Sequence, residues 1–162
     1  MKRFSPRPLA AAFAACVMLA TLSARADDGI THAQPTLREE PLTIVTHRGR
    51  FRFNAEIAAT PEQQEVGLMY RPALSADHGM LFEMGAPQEA AFWMEHCAHP
   101  LDMLFIQADG RILSIARQTK PFSLTPIDSG GPITAVLEIR GGRAAEIGAV
   151  PGDLVRHPYF HD

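Results

Sequence analysis

The chain has 162 residues, of which 46% are hydrophobic, and a formal net charge of −3 at pH 7. This length and composition suit a single domain with one core. The acidic balance excludes the broad basic surface that nucleic acids and anionic lipids require, so neither is expected as a partner.

The first 26 residues have the three parts of a cleavable export signal. Lys2, Arg3 and Arg7 form a basic start, an apolar run follows over residues 9–22, and residues 24–26 read Ala-Arg-Ala, a small-residue cleavage site. The apolar run is shorter than the roughly 20 residues that span a bilayer as a helix. We therefore predict a signal peptide over residues 1–26, cleavage after residue 26, and a periplasmic mature chain with no stable membrane insertion.

Two alternatives to this processing stay open. Cys16 raises a lipoprotein signal, but the apolar run continues beyond it, which disfavours lipidation. An uncleaved anchor is the other.

Cleavage would remove four basic residues and no acidic one, so the mature net charge becomes −7. Cys97 would be the single cysteine left, which excludes an intramolecular disulfide. A monomer is expected.

The mature chain begins with a polar stretch. Residues 27–40 contain Pro35 and show no apolar periodicity, which predicts a disordered tether. One β-rich domain is predicted over residues 41–162, with its first strand near Leu42. No internal repeat of fixed period is present.

A hairpin and a helix are predicted at the start of the domain. Residues 42–46 and 51–57 are apolar or alternating runs around a short polar turn, with the odd-numbered residues of the second run facing a core. Thr60, Pro61 and Gln63 then form a capping box with proline at the first helical position. The helix must end by Tyr70, because the proline at position 72 disfavours helical geometry before it.

Several short apolar runs follow, which is typical of a β-rich fold. They cover residues 80–84, 90–94, 101–107, 111–117 and 133–140. Asp109 and Gly110 predict a tight hairpin turn, and residues 120–132, rich in Pro and Gly, predict a long surface loop. A short helix is predicted over residues 143–147 before a last strand. The fold class predicted is mainly β with two short helices, in one compact, barrel-like domain.

Six short segments occur in the order and spacing of one known family. They are Gly67-Leu68-Met69-Tyr70-Arg71, Gly79-Met80-Leu81-Phe82, Phe92-Trp93-Met94, Pro100-Leu101-Asp102-Met103, Val136-Leu137-Glu138 and Gly152-Asp153. With them the chain resembles the bacterial and archaeal family called domain of unknown function 192, from about residue 42 to residue 160. The resemblance implies a small β-barrel-type domain, often exported, with no assigned biochemical role.

The chain departs from the family pattern after the Phe-Trp-Met run. Family members usually carry a Lys-Asn-Thr-like stretch where this chain has Glu95, His96 and Cys97, so no role of that stretch is carried over. The terminal Gly152-Asp153 pair resembles the turn of cradle-loop and double-psi barrels, in which the aspartate accepts backbone hydrogen bonds. Both residues are therefore expected to have a structural role.

The densest group of reactive side chains lies between the central strands. His96, Cys97 and His99 carry the ligand types of copper or zinc sites. Neighbouring side chains of extended backbone point to opposite faces, so these three could converge only in a tight loop. The same residues allow a hydrolase with Cys97 as nucleophile, although no oxyanion motif accompanies them. Exposed loop residues and core-filling methionines are the simpler interpretation.

A binding surface is the leading hypothesis. If Trp93 lies on a concave surface beside Arg71 and Asp102, with Met94 and His96 nearby, it would form the floor of a site for a small polar ligand. The plainer alternative is a core tryptophan. We therefore expect a non-enzymatic binding or accessory protein of the periplasm, with no cofactor indicated.

Two other functional classes stay open. One is the metal-binding protein or hydrolase built on His96, Cys97 and His99. The other is a structural partner in an envelope complex, which would present an exposed apolar patch. The sequence identifies no substrate or reaction.

Overall fold

The computed structural model describes residues 29–160, so the predicted signal peptide lies outside the described residues. Within that part of the chain there are nine strands and two short helices. The strands are β1 (Glu39–Thr46), β2 (Gly49–Ala58), β3 (His78–Gln88), β4 (Ala91–Phe92), β5 (Leu101–Ile106), β6 (Ile112–Ala116), β7 (Ile127–Asp128), β8 (Ile133–Arg140) and β9 (Leu154–Arg156), and the helices are α1 (Pro61–Val66) and α2 (Arg143–Glu146).

Seven strands form one curled sheet in the order β6-β5-β8-β3-β2-β1-β9. The named neighbours pair antiparallel except β2 and β3, which are parallel because α1 lies in the crossover between them. An isolated bridge between Arg111 and Leu154 links the β6 end of the sheet to β9. The result is a half-barrel in a single compact domain, which confirms the predicted mainly β fold with two short helices.

The hairpin and α1 form where the sequence places them. β1 and β2 pair from Glu39 opposite Glu56 to Thr46 opposite Gly49. Thr60 accepts a hydrogen bond from the Gln63 backbone N–H, and the Gln63 side chain accepts one from the Thr60 N–H, so the predicted capping box is present. This reciprocal bonding satisfies amide groups that a helix start otherwise leaves unpaired.

Both faces of the sheet are buried. Along β8, Leu137 and Ile139 enter one hydrophobic core, whereas Val136 and Glu138 face the other side of the sheet. The first core also holds α2 and residues of β1 and β9. The second core contains Leu68, Met94 and other residues of the connecting segments that cover the opposite face. This second side carries the candidate site.

The predicted loop over residues 120–132 contains a short strand. Residues 120–132 were expected to form a loop, yet β7 lies within them and pairs with β4 as a separate two-stranded sheet. Two-residue strands have no periodicity to detect, and tertiary pairing alone creates them.

Among the described residues no helix is long and apolar enough to cross a membrane.

The described part of the predicted tether makes hydrogen bonds to the domain. The Gln34 amide donates to the carbonyls of Gln63 and Gly67, at 3.0 and 2.9 Å. The Leu37 N–H donates to the Glu56 carboxylate at 2.7 Å. Composition predicts disorder from low hydrophobicity, but it cannot show partners that the folded domain supplies.

Candidate binding cleft

A cleft of about 440 Å³ opens on the second side of the sheet. One wall is α1 with the segment that follows it, and the other is the chain from β4 to Cys97. Most of the lining is apolar. The lining includes Glu65, Val66, Gly67, Leu68, Phe82, Ala91, Phe92, Trp93, Glu95, Cys97 and Glu138. Clefts of this size hold small ligands.

The first wall depends on Gly67, which ends α1. Its backbone has φ 47° and ψ −127°, a conformation that residues with a Cβ rarely adopt. A Cβ at this position would lie 3.1 Å from Cζ of the Phe82 ring. The chain therefore turns tightly against Phe82, and Leu68 and Met69 become buried beside it. Val66, in the last turn of α1, is partly buried.

A strained set of turns with exposed aromatic side chains lies beside the second wall. Tyr70, His96 and Phe122 all have positive φ values, between 54 and 59°. The Tyr70 N–H donates to the His96 carbonyl and the Phe122 N–H to the Cys97 carbonyl, which fixes three loops together. Strain of this kind persists only where surrounding contacts determine it, and it clusters at functional sites.

Large apolar side chains are exposed around this turn. Trp93 is 43% exposed, and the ring of Tyr70 stacks on His96 at 4.7 Å. Phe122 and Leu124 are exposed as well. Exposed apolar surface therefore lies beside the cleft, and Trp93 carries it into the lining.

Glu138 forms the base of the cleft. It lies on β8 between Met80 of β3 and Met103 of β5, and only 4% of it is exposed. No hydrogen bond or ion pair of its carboxyl group is found within the described residues. Burial raises the pKa of Glu138 to about 8, because the charged form loses its hydration.

Glu56 is also buried, and it lies in the same row across the sheet and on the same face as Glu138, but the partners of its carboxylate differ. Its register partner is Met80, so it stands roughly 10 Å from Glu138, two strand spacings away. Glu56 has partners on every side: Arg71 at 2.9 Å, His78 at 3.3 Å, and the Leu37 N–H. The fold supplies a cation to one buried carboxylate and none to the other.

Cys97 also lines the cleft, but as a thiol. Burial, and secondly the nearby Glu138 charge, raises its pKa to about 12. The nucleophilic form of cysteine is the thiolate, which is scarce at neutral pH under these conditions. The nucleophile hypothesis for Cys97 therefore receives no support from the geometry.

The structure separates most of the residues that we predicted to form the binding site. Trp93 lines the cleft, but Arg71 bonds Glu56 and the Pro35 carbonyl instead. Asp102 is fully buried and accepts hydrogen bonds from the N–H groups of Gln118, Gly142 and Ala144 at 2.7, 3.0 and 2.8 Å. It orders the start of α2, and the predicted floor made of Trp93, Arg71 and Asp102 does not form.

The other two predicted residues also lie outside the cleft. Met94 is fully buried, with its sulfur 2.9 Å from the hydroxyl of Thr119. His96 lies against Tyr70 on the surface. The positions of Met94 and His96 differ because successive side chains of the turn after β4 point in different directions.

The predicted metal ligands do not converge. Within residues 29–160, no group of three or more His, Cys, Asp and Glu side chains is arranged to hold a metal ion. His96 stacks on Tyr70, Cys97 is buried, and His99 is exposed.

The terminal turn contains a side-chain contact of the expected kind. Asp153 Oδ2 accepts a hydrogen bond from the Val150 N–H at 2.8 Å. Gly152 has φ 94°, a conformation that glycine adopts without steric cost. Both residues lie away from the cleft.

Sequence reasoning missed the most informative residue of the site. Glu138 is the single charged residue between Ile133 and Ile139 in an otherwise apolar or small run. Such a run predicts a strand buried on both faces, so its carboxylate had to be buried wherever it pointed. That signal was available, whereas Glu65 and Glu95 are ordinary in sequence and gain meaning only from their positions at the cleft.

Solved structures of two bacterial proteins are similar to this chain in sequence and in fold. A Sinorhizobium meliloti protein described as a proposed transcription regulator is 38% identical, with a TM-score of 0.73 over 76% of this chain and 97% of that one. A Novosphingobium aromaticivorans protein of unknown function is 40% identical, with a TM-score of 0.74 over 77% of this chain and 91% of that one. No curated protein matches the chain.

The family model agrees with the motifs and with the fold. It carries the description "Uncharacterized ACR" and matches residues 43–157, from β1 to just beyond β9. The match covers most of the chain, including every strand that forms the half-barrel. The chain belongs to the domain of unknown function 192 family.

Proposed function

We propose that this protein is a non-enzymatic binding protein of the periplasm, and that it holds a small amphipathic molecule in the cleft between α1 and Trp93. Glu138 is the observation that carries the proposal. Glu138 is 4% exposed, and a buried carboxyl group without a partner among the described residues is costly. A bound molecule with a complementary polar group would remove that cost.

The walls of the cleft determine the rest of the ligand. Phe82, Phe92 and Trp93 present aromatic surface, and Leu68 adds aliphatic surface. Burial of apolar ligand area against them contributes about 25 cal/mol per Å². An apolar body with one polar end fits this combination.

The chemistry of the lining favours binding over catalysis. Of the described residues that line the cleft, none is His, Lys or Arg, and the Cys97 thiol has a pKa of about 12. Nucleophilic catalysis needs an activated nucleophile beside a base. The description of the Sinorhizobium meliloti protein is not carried over to this chain, because a cleft edged by Glu65 and Glu95 does not suit DNA.

Binding can be tested with N-phenyl-1-naphthylamine, a small apolar fluorophore. Trp93 is the only tryptophan in the sequence, so energy transfer from it reports binding at the cleft. We expect saturable binding with one site. Ala91→Phe, which places a ring in the cleft, should weaken affinity by about tenfold, equivalent to about 1.4 kcal/mol.

Ala76→Phe is the matched control, since Ala76 is exposed and lies outside the cleft. It should bind the fluorophore like the unmodified protein. Absence of saturable binding, or equal affinity in the two variants, would rule out the cleft as the binding site.

A further inference from the structure

Negative charge and missing cations distinguish the cleft from the rest of this side of the sheet. Glu65 lies on the α1 wall, Glu95 on the opposite wall, and Glu138 at the base. No basic side chain occurs among the described residues that line it. Carboxylates at the mouth of a cleft raise the local concentration of cations and accelerate their entry.

Glu56 and Glu138 lie in the same row of residues across the sheet, but of the two only Glu56 has a cation beside it among the described residues. Glu56 is 1% exposed and is neutralised by the guanidinium of Arg71, with His78 beside it. Glu138 is buried to nearly the same extent, but its flanking residues are Met80 and Met103. A buried carboxylate is stable when a cation and hydrogen-bond donors accompany it. The described residues supply no such cation to Glu138, so a ligand is the source that the cleft leaves open for one when the carboxyl group is ionised.

We propose that the ligand is an amphipathic cation, an alkylamine or arylalkylamine whose ammonium group pairs with the Glu138 carboxylate while its apolar body lies between Phe82 and Trp93. This inference rests on the proposed function and specifies the ligand class of the same cleft. Half-exposed Trp93 adds an aromatic face that attracts cations during entry.

Proton release accompanies this mode of binding. In the empty cleft the Glu138 carboxyl carries a proton at pH 7, because burial raises its pKa to about 8. The strands beside it present Met80 and Met103, which do not titrate, and the Cys97 thiol stays protonated. Glu65 and Glu95 are the remaining titratable groups of the lining. An ammonium ion favours the carboxylate, so its binding expels the proton and strengthens as pH rises.

A neutral ligand would behave in the opposite way. An alcohol or carbonyl group accepts a hydrogen bond from protonated Glu138, and it would bind more weakly as that proton is lost. The direction of the pH dependence therefore separates the two ligand classes.

Three probes that share a phenylethyl group provide the experiment: phenethylamine, 2-phenylethanol and 3-phenylpropionate, titrated calorimetrically from pH 6 to pH 8. Phenethylamine should bind at least about tenfold more tightly than the alcohol at pH 8, and the carboxylate should bind most weakly. The affinity of phenethylamine should increase with pH. Titration of this amine in buffers of different ionisation enthalpy should show release of about one proton at pH 7.

Glu138→Gln removes the charge at nearly constant volume, and Glu89→Gln is the control, because Glu89 is exposed and outside the cleft. Glu138→Gln should lose the preference for the amine and the pH dependence but keep binding of N-phenyl-1-naphthylamine. Glu89→Gln should change neither. The pH dependence of the unmodified protein tests the inference independently of either variant.

Two results would overturn the inference while the proposed function survives: the alcohol binding as tightly as the amine, or amine affinity falling with increasing pH. Failure of all three probes and of N-phenyl-1-naphthylamine would contradict the proposed function itself.

Discussion

Two buried acidic residues in this protein have opposite environments, and the difference separates structure from function. Asp102 is fully buried and accepts three backbone hydrogen bonds that hold the loop before α2. Glu138 has no such partners within the described residues, and it lines the cleft. A satisfied buried carboxylate organises the fold, whereas an unsatisfied one marks a place where a ligand can bind.

Replacing Asp102 should therefore destabilise the protein strongly. Asp102→Ala leaves the N–H groups of Gln118, Gly142 and Ala144 without their acceptor, and each such loss costs about 1–3 kcal/mol. We expect the free energy of unfolding in urea to fall by roughly 3–5 kcal/mol in total. Asp128→Ala, at an exposed position, should change it by less than about 0.5 kcal/mol. Equal effects of the two substitutions would refute the structural role of Asp102.

At the scale of elements, α1 is shaped at both ends by local sequence. The capping box at Thr60 and Gln63 starts the helix, and Gly67 ends it. The start is specified by side chains that bond their own backbone, so it is visible in sequence. The end matters for the cleft, because the backbone of Gly67 directs Leu68 inward and lies against Phe82.

Gly67→Ala tests this role of α1. The new Cβ would meet Phe82 at 3.1 Å in a backbone conformation that alanine avoids, so we expect a stability loss of about 1–3 kcal/mol and weaker binding of N-phenyl-1-naphthylamine. Gly85→Ala is a matched control, since Gly85 also has positive φ but its Cβ would meet nothing within 4 Å. It should lose about 1–2 kcal/mol from backbone strain alone, with binding unchanged. Unaltered binding in Gly67→Ala would contradict the proposed wall.

At the scale of the whole molecule, the half-barrel determines how stability depends on pH. The sheet buries Glu138 on a face where no residue between positions 29 and 160 pairs with its carboxyl group, and its folded pKa of about 8 lies above the ordinary value of 4.5. Between these two values the folded chain binds a proton that the unfolded chain has lost. The contribution of Glu138 to stability is therefore present at low pH and lost as pH rises to about 8.

This pH dependence has a direct test in Glu138→Gln. From pH 6.5 to pH 8.5 the free energy of unfolding of the unmodified protein should fall relative to that of the variant. Only the unmodified protein releases a proton from this position when it unfolds. Below pH 6.5 His157 becomes relevant, because burial lowers its pKa and its protonation destabilises the folded state. Both proteins share that effect. Urea midpoints at several pH values measure the difference, and parallel curves would show that Glu138 does not titrate as described.

The sequence by itself determined the elements that depend on neighbouring residues. The β1–β2 hairpin, the capped start of α1 and the turn at Asp109 and Gly110 form where the pattern predicts them. Alternation, capping and turn preferences act over a few residues, so the printed sequence contains them in full. The mainly β fold class follows from the same local signals, and the family from the order of its motifs.

Only the tertiary structure decided which side chains meet. Arg71 pairs with Glu56, Asp102 accepts N–H groups more than ten residues away, and neither joins Trp93. β7 and the ordered course of residues 30–37 likewise depend on partners distant in sequence. Strand order places Glu138 and Trp93 in one cleft, and that order results from long-range packing, which the spacing of residues along one chain does not encode.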